Sequence, residues 1–199
     1  LLSTIPFAVT HPHVCVGDGG RGSRSIDPAA CAALWDPARS MLGASQEAWL
    51  GRALGQPSPG WNLIGQQTLF GRLDRRAGPG ELLWNDGWDG YPAARARLTD
   101  TLRANRVANP GVFGGDVHQN WVGHVKADYR DPASHPVGVE FCGTSISSRG
   151  PSASQVAERL AENPHFVFAD GSHRGYGVAD LSPARLSVRL RVLDDATRK

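Results

Sequence analysis

Apolar positions along the chain fall into short runs broken by glycine and proline, and their period changes from one region to the next. Residues 1–14 are mildly apolar, with two prolines and no clear period, and residues 17–30 are turn-rich without an apolar face. From Asp36 and Pro37 onward the pattern sharpens. It predicts a turn and then a helix entered near Ser45, with Glu47 in the first turn, Trp49, Leu50 and Leu54 on the buried face, and Gly55 as the stop. Trp61 to Gly65 reads as a buried strand after a Pro-Ser-Pro-Gly turn. Pro92 opens an alanine- and arginine-rich helix that runs to about Asn105, and a strand from Gly111 follows directly. This helix-to-strand order favours an α/β arrangement.

The second half reads mainly as strands. Trp121 to Tyr129 and Val137 to Cys142 are strand-like, a short helix spans Ser154 to Glu162, and Phe166 begins a strand after a turn. The chain closes with Gly175 to Leu181 and Arg185 to Leu193. In the last, Leu186, Val188, Leu190 and Val192 alternate with polar residues, the period of a strand with one wet face. The C-terminal half is therefore expected to form an antiparallel or mixed sheet.

Composition narrows the partners. The net charge of +2 comes from 21 basic and 19 acidic residues spread along 199 positions, so nothing points to a nucleic-acid or membrane-surface partner. No apolar run approaches a membrane span, no signal peptide opens the chain, and the first residue is Leu1, which suggests a processed product or a fragment. Three cysteines without CxxC spacing leave two readings. Cys15 and Cys31 pair in an oxidising compartment while Cys142 stays free, or all three are reduced thiols.

The candidate chemistry centres on the stretch Gly111 to Trp121, in which a short apolar run reaches two glycines and then Asp116 and His118. In an extended backbone these two metal-binding side chains would project from the same side at a strand end, with the glycines leaving room for a ligand close to the main chain. The bland alternative is a turn acid beside an ordinary hydrogen-bonding histidine. Trp84 to Pro92, dense in aromatics and acids, either lines a pocket or is a loop pinned to the core. His11, His13 and His124 read as structural residues, with a differently assembled metal site that recruits them as the weaker alternative. The Gly17 to Gly22 run lacks the lysine and hydroxyl of a phosphate loop.

Several segments together resemble the alkaline phosphatase D, or PhoD-like, family of metallophosphatases. They are Arg39 to Gly43 with Gln46, Trp49 and Leu50; Trp61-Asn62; Trp88-Asp89-Gly90-Tyr91-Pro92; Gly115-Asp116-Val117-His118 with Trp121; and Lys126-Ala127-Asp128. They continue with Glu140-Phe141 and Gly143 to Ser148, Asn163-Pro164-His165, and Arg174-Gly175-Tyr176. The similarity runs from about Cys15 to Asp195, leaving residues 1–14 unassigned and 196–199 as a tail.

The resemblance implies a calcineurin-like fold, a sandwich of two mixed sheets flanked by helices, here only as its C-terminal part. It also implies hydrolysis of a small phosphate ester, iron and calcium or another divalent metal as cofactors, and a secreted or periplasmic protein. Asp116 and His118 would belong to the metal site, while Trp88, Asp89, His165, Arg174 and Tyr176 would stand behind the ligands or face the phosphate. The family's earlier ligands, including a cysteine, an aspartate-tyrosine set and a Trp-Asp-Asp-His-Glu-like motif, do not occur in these residues. The expectation is an enzyme whose N-terminal half must supply the rest of the site. The alternative is a non-catalytic remnant or binding module of the same fold.

Overall fold

The computed structural model describes residues 2–4, 13–16, 24–58 and 60–194. Its centre is a mixed six-stranded sheet of β1 (Leu2–Thr4), β3 (Asn62–Gly65), β5 (Pro110–Gly114), β7 (Pro136–Cys142), β6 (Asn120–Lys126) and β8 (Phe166–Asp170), in that spatial order. The pairs β1/β3, β3/β5 and β5/β7 are parallel, whereas β6 runs antiparallel to both its neighbours. Leu2–Thr4, within the stretch left unassigned by resemblance, thus contribute an edge strand. Two smaller ladders stand apart: β2 (Ser25–Ile26) with β4 (Leu83–Trp84), and β9 (Arg174–Leu181) with β10 (Leu186–Leu193), both antiparallel.

Among the described residues, three α-helices flank the sheet. The first, α1 (Ala44–Leu54), begins after Gly43, whose φ of 78° suits a residue without a side chain. The second, α2 (Pro92–Ala104), carries proline in its first turn as the sequence predicts, and α3 (Ala153–Glu162) starts with a reciprocal capping box between Ser152 and Gln155. Leu50 and Leu54 of α1 are buried, but Trp49 is 43% exposed. A residue adjacent to Leu50 lies about 100° round the helix, so a face centred on Leu50 and Leu54 turns Trp49 outward.

One sheet face is covered. Ile64, Val112 and Val125 pack with α1, α2, Phe70 and Trp88, while Trp121, Cys142 and Phe166 pack with Val156 of α3, Leu69 and Leu73. The opposite face carries an in-register row of Phe113, Phe141, Val122 and Phe168, only half-buried up to Phe168, which is exposed. In β10 the alternation holds for Leu186, Val188 and Leu190, which are half-buried beside exposed Arg189 and Arg191, but Val192 near the strand end is exposed. The predicted strand to Tyr129 stops at Lys126, after which Asp128 and Asp131 accept backbone N–H bonds in tight turns.

A disulfide joins Cys15 to Cys31, and Cys142 is a free, buried thiol. Among the described residues no helix is long and apolar enough to cross a membrane.

Candidate functional site

The parallel strands β3, β5 and β7 run toward one edge of the sheet, the edge where open α/β sheets place ligands. A cleft of about 340 Å³ opens there. Its walls are the chain after β3, the Trp84–Asp89 segment, and the loop Asp116–Gln119 that joins β5 to β6. Gly114 ends β5 against the Thr68 carbonyl, too close for a Cβ, and Gly115 donates its N–H to the Gln67 carbonyl at 3.1 Å. The paired glycines thus admit another stretch of backbone rather than a ligand.

Asp116 and His118 both reach the cleft, but not as neighbours on an extended strand. Their φ angles are 67° and 57°, in the left-handed region, and the Val117 N–H donates to the Gly115 carbonyl at 2.8 Å. A tight turn, rather than strand alternation, brings the two side chains to one wall. Such conformations cost on the order of 1 kcal/mol or more for residues with a Cβ and persist only where the surroundings impose them. Here Trp121, fully buried against Phe166 at 4.7 Å, anchors the far end of the loop, and Gly150 packs against the His118 carbonyl oxygen.

The His118 ring lies 3.2 Å, through Nδ1, from the Arg149 carbonyl oxygen. A carbonyl only accepts, so Nδ1 carries the proton and Nε2 keeps its lone pair, the arrangement that prepares an imidazole to ligate a metal. The exposed Asp116 carboxylate has no hydrogen-bond partner among the described residues. These two donors fit a cation, the carboxylate a hard ion and the imidazole a transition metal. They do not complete a site. Among the described residues no three of His, Cys, Asp and Glu are grouped to hold a metal ion.

The other sequence-predicted site residues divide. Trp88 both lines the cleft and belongs to the core, donating Nε1–H to Gln66 Oε1 at 3.1 Å and meeting Phe70 edge-on at 4.9 Å. Asp89 stands at the cleft, but its carboxylate is engaged by Arg95 at 2.6 Å and by the Leu73 N–H at 3.0 Å. His165 lies in the interior between Tyr129 and Phe166, its Nε2–H on the Arg72 carbonyl at 2.8 Å; burial first, and then the nearby cations Arg95, Arg72 and Lys126, push its pKa down to about 4. Arg174 ties the carbonyls of Ser148 and Gly171, while Tyr176 is exposed on β9. Neither residue, nor His165, lines the cleft. His13 reaches the Asn85 carbonyl and Asp86, His124 is exposed on β6, and His11 and the Gly17 to Gly22 run lie outside the described residues.

Sequence reasoning gave no role to the group behind the cleft. Glu140, on central strand β7, is fully buried; burial pushes its carboxyl up to about 7, although the Phe70 and Gly71 N–H groups and Arg95 oppose the shift. The available signal was a carboxylate inside the apolar run Val137 to Cys142, since acids are almost never fully buried unless paired. Arg75, its guanidinium 4.8 Å over the Trp84 ring, also lines the cleft and went unnoticed.

Comparison with known proteins places these features in context. The family model for PhoD-like phosphatases matches residues 16–190. Alkaline phosphatase D of Bacillus subtilis (strain 168) is 34% identical over 165 residues, covering 81% of this chain and 28% of its own length. The solved structure of PhoD superposes with a TM-score of 0.80 at 32% identity, covering 87% of this chain and 33% of that one. The chain thus spans about a third or less of the relatives it matches.

Proposed function

The chain belongs to the PhoD-like phosphatase family, and from that premise we propose that it serves the metal-dependent hydrolysis of phosphate esters, with Asp116 and His118 as its share of the metal site. The observation that carries this reading is the shared cleft wall on which an unpartnered carboxylate stands beside an imidazole with Nδ1 tied back and Nε2 left open. Cations held there would polarise the phosphoryl oxygen and lower the pKa of water. What these residues themselves do is hold the donors in place. Arg149 fixes the ring, Trp121 anchors the loop, and the close packing of Gly114 against Thr68 sets the loop's distance from the opposite wall.

The remaining donors, in this reading, come from chain beyond these 199 residues, consistent with the third or less of the relatives' length covered here. Catalytic metals need about three or more protein ligands, and two do not suffice. The Cys15–Cys31 disulfide supports an oxidising, secreted or periplasmic location. The test is p-nitrophenyl phosphate hydrolysis by the 199-residue chain with calcium and iron supplied. Turnover no faster than that of His118→Ala is expected; robust metal-dependent turnover by this chain alone would overturn the division of the site.

A further inference from the structure

Residues Leu69–Asp74 form an irregular strap along the cleft, with every residue but Arg72 buried. Leu69, Gly71 and Leu73 line the cleft. A buried segment outside regular secondary structure must satisfy its main-chain groups elsewhere, and here side chains do so. Glu140 Oε1 accepts from the Phe70 N–H at 2.6 Å and Oε2 from the Gly71 N–H at 2.7 Å. Arg95 donates to the Phe70 carbonyl, His165 donates to the Arg72 carbonyl, Asp89 accepts from the Leu73 N–H, and the Asn163 amide brackets the N–H and carbonyl of Asp74. Glu140, Asp89, Asn163 and His165 all come from the segments singled out in the sequence, yet all act on the backbone of one strap.

Within this frame Glu140 stands apart. It projects from β7, which is paired on both sides by β5 and β6, and it holds two successive N–H groups with one carboxylate. The fit is close, because a Cβ on Gly71 would lie 2.9 Å from Glu140 Oε2 and 2.9 Å from Phe166 Cζ.

We propose that Glu140 is a positioning residue that fixes the Leu69–Asp74 strap through the Phe70 and Gly71 N–H groups, and so sets the shape of the cleft that receives the phosphate ester. The proposal rests on the phosphate-ester reading for its ligand, but not for the clamp itself. The charged and titratable groups around Glu140 are Arg95 and Asp89, with Tyr129 and the Cys142 thiol nearby. Arg95 favours the ionised carboxylate that accepts both bonds, and Asp89 disfavours it. Since its carboxyl titrates near neutrality, the clamp is expected to slacken on acidification.

The experiment follows backbone amide resonances of the 199-residue chain across about pH 5 to about pH 9, with inorganic phosphate as the ligand probe. The Phe70 and Gly71 amides are expected to titrate together with the Glu140 carboxyl, and Glu140→Gln to flatten that titration. Phosphate affinity in Glu140→Gln is expected to fall on the order of tenfold, the scale of one lost charge-assisted anchor. Phe70 and Gly71 amides that stay constant while Glu140 titrates would overturn the proposal, as would equal phosphate affinity in wild type and variant. Should Glu140→Gln not fold, the wild-type titration alone decides. Absence of phosphate binding to wild type would overturn the clamp's role in receiving the ligand, with the phosphate-ester reading left to the hydrolysis test and the amide titration still deciding the clamp itself.

Discussion

Asp116 and His118 were legible in the sequence as residues of the candidate site, and both line the cleft, because their types and spacing are local properties. The conformation that brings them together was not, since two left-handed residues follow from Gly114 and Gly150 packing against distant carbonyls. Glu140 and His165 were harder to read, as Glu140 meets its main-chain partners some 70 positions earlier and His165 its partner 93 positions earlier. Their burial makes stability depend on pH in opposite directions. The Glu140 carboxyl rises from 4.5 to about 7, so its contribution is full below 4.5 and is lost as pH rises through 7. His165 falls from 6.5 to about 4, so its contribution is full above 6.5 and is lost as pH falls through 4. Each amounts to roughly 3 kcal/mol at most, and between 4.5 and 6.5 the two largely offset. Thermal unfolding of wild type against Glu140→Gln checks this. The wild-type advantage is expected to be larger at about pH 5 than at about pH 8, with the reverse for His165→Asn.

Among the elements, hydrophobic period located the three α-helices and the longer strands to within a few residues, because each buries its own stripe or row, but not the short strands β1, β2 and β4. It could not tell that Leu69–Asp74, which has no period of a helix or paired strand, is an organised cleft wall, since that order comes from side chains elsewhere. Helix α3 is the clearest case of local control. Its capping box satisfies two end groups at once, and it sets Val156 against the cluster containing Trp121 and Phe166. Ser152→Ala is expected to lower stability by about 1 kcal/mol, measured by urea unfolding, without moving the cleft resonances. The β5-to-β6 connection is governed by contact instead. Gly114→Ala would drive a methyl into the Thr68 carbonyl, and its expected cost is about 2 kcal/mol or more together with shifted Asp116 and His118 signals.

At the scale of the whole molecule, the sheet has one face filled by helices and the strap, and another whose row of Phe113, Phe141, Val122 and Phe168 is only partly covered. Alternation in the sequence marks both faces as apolar but cannot say which is capped. An apolar row left partly uncovered, with Phe168 exposed at its end, favours association, so sedimentation of the chain is expected to show concentration-dependent self-association that Phe168→Lys reduces; a monomer at all concentrations would contradict this. At the other end of the sheet, one cleft wall carries Asp116 and His118, the two residues proposed as this chain's share of a metal site. Calorimetric titration with calcium tests that proposal. Weak binding by the wild-type chain, about millimolar, is expected and should be lost in Asp116→Asn, whose carboxylate is the hard-ion donor; equal affinity in the two proteins would refute it.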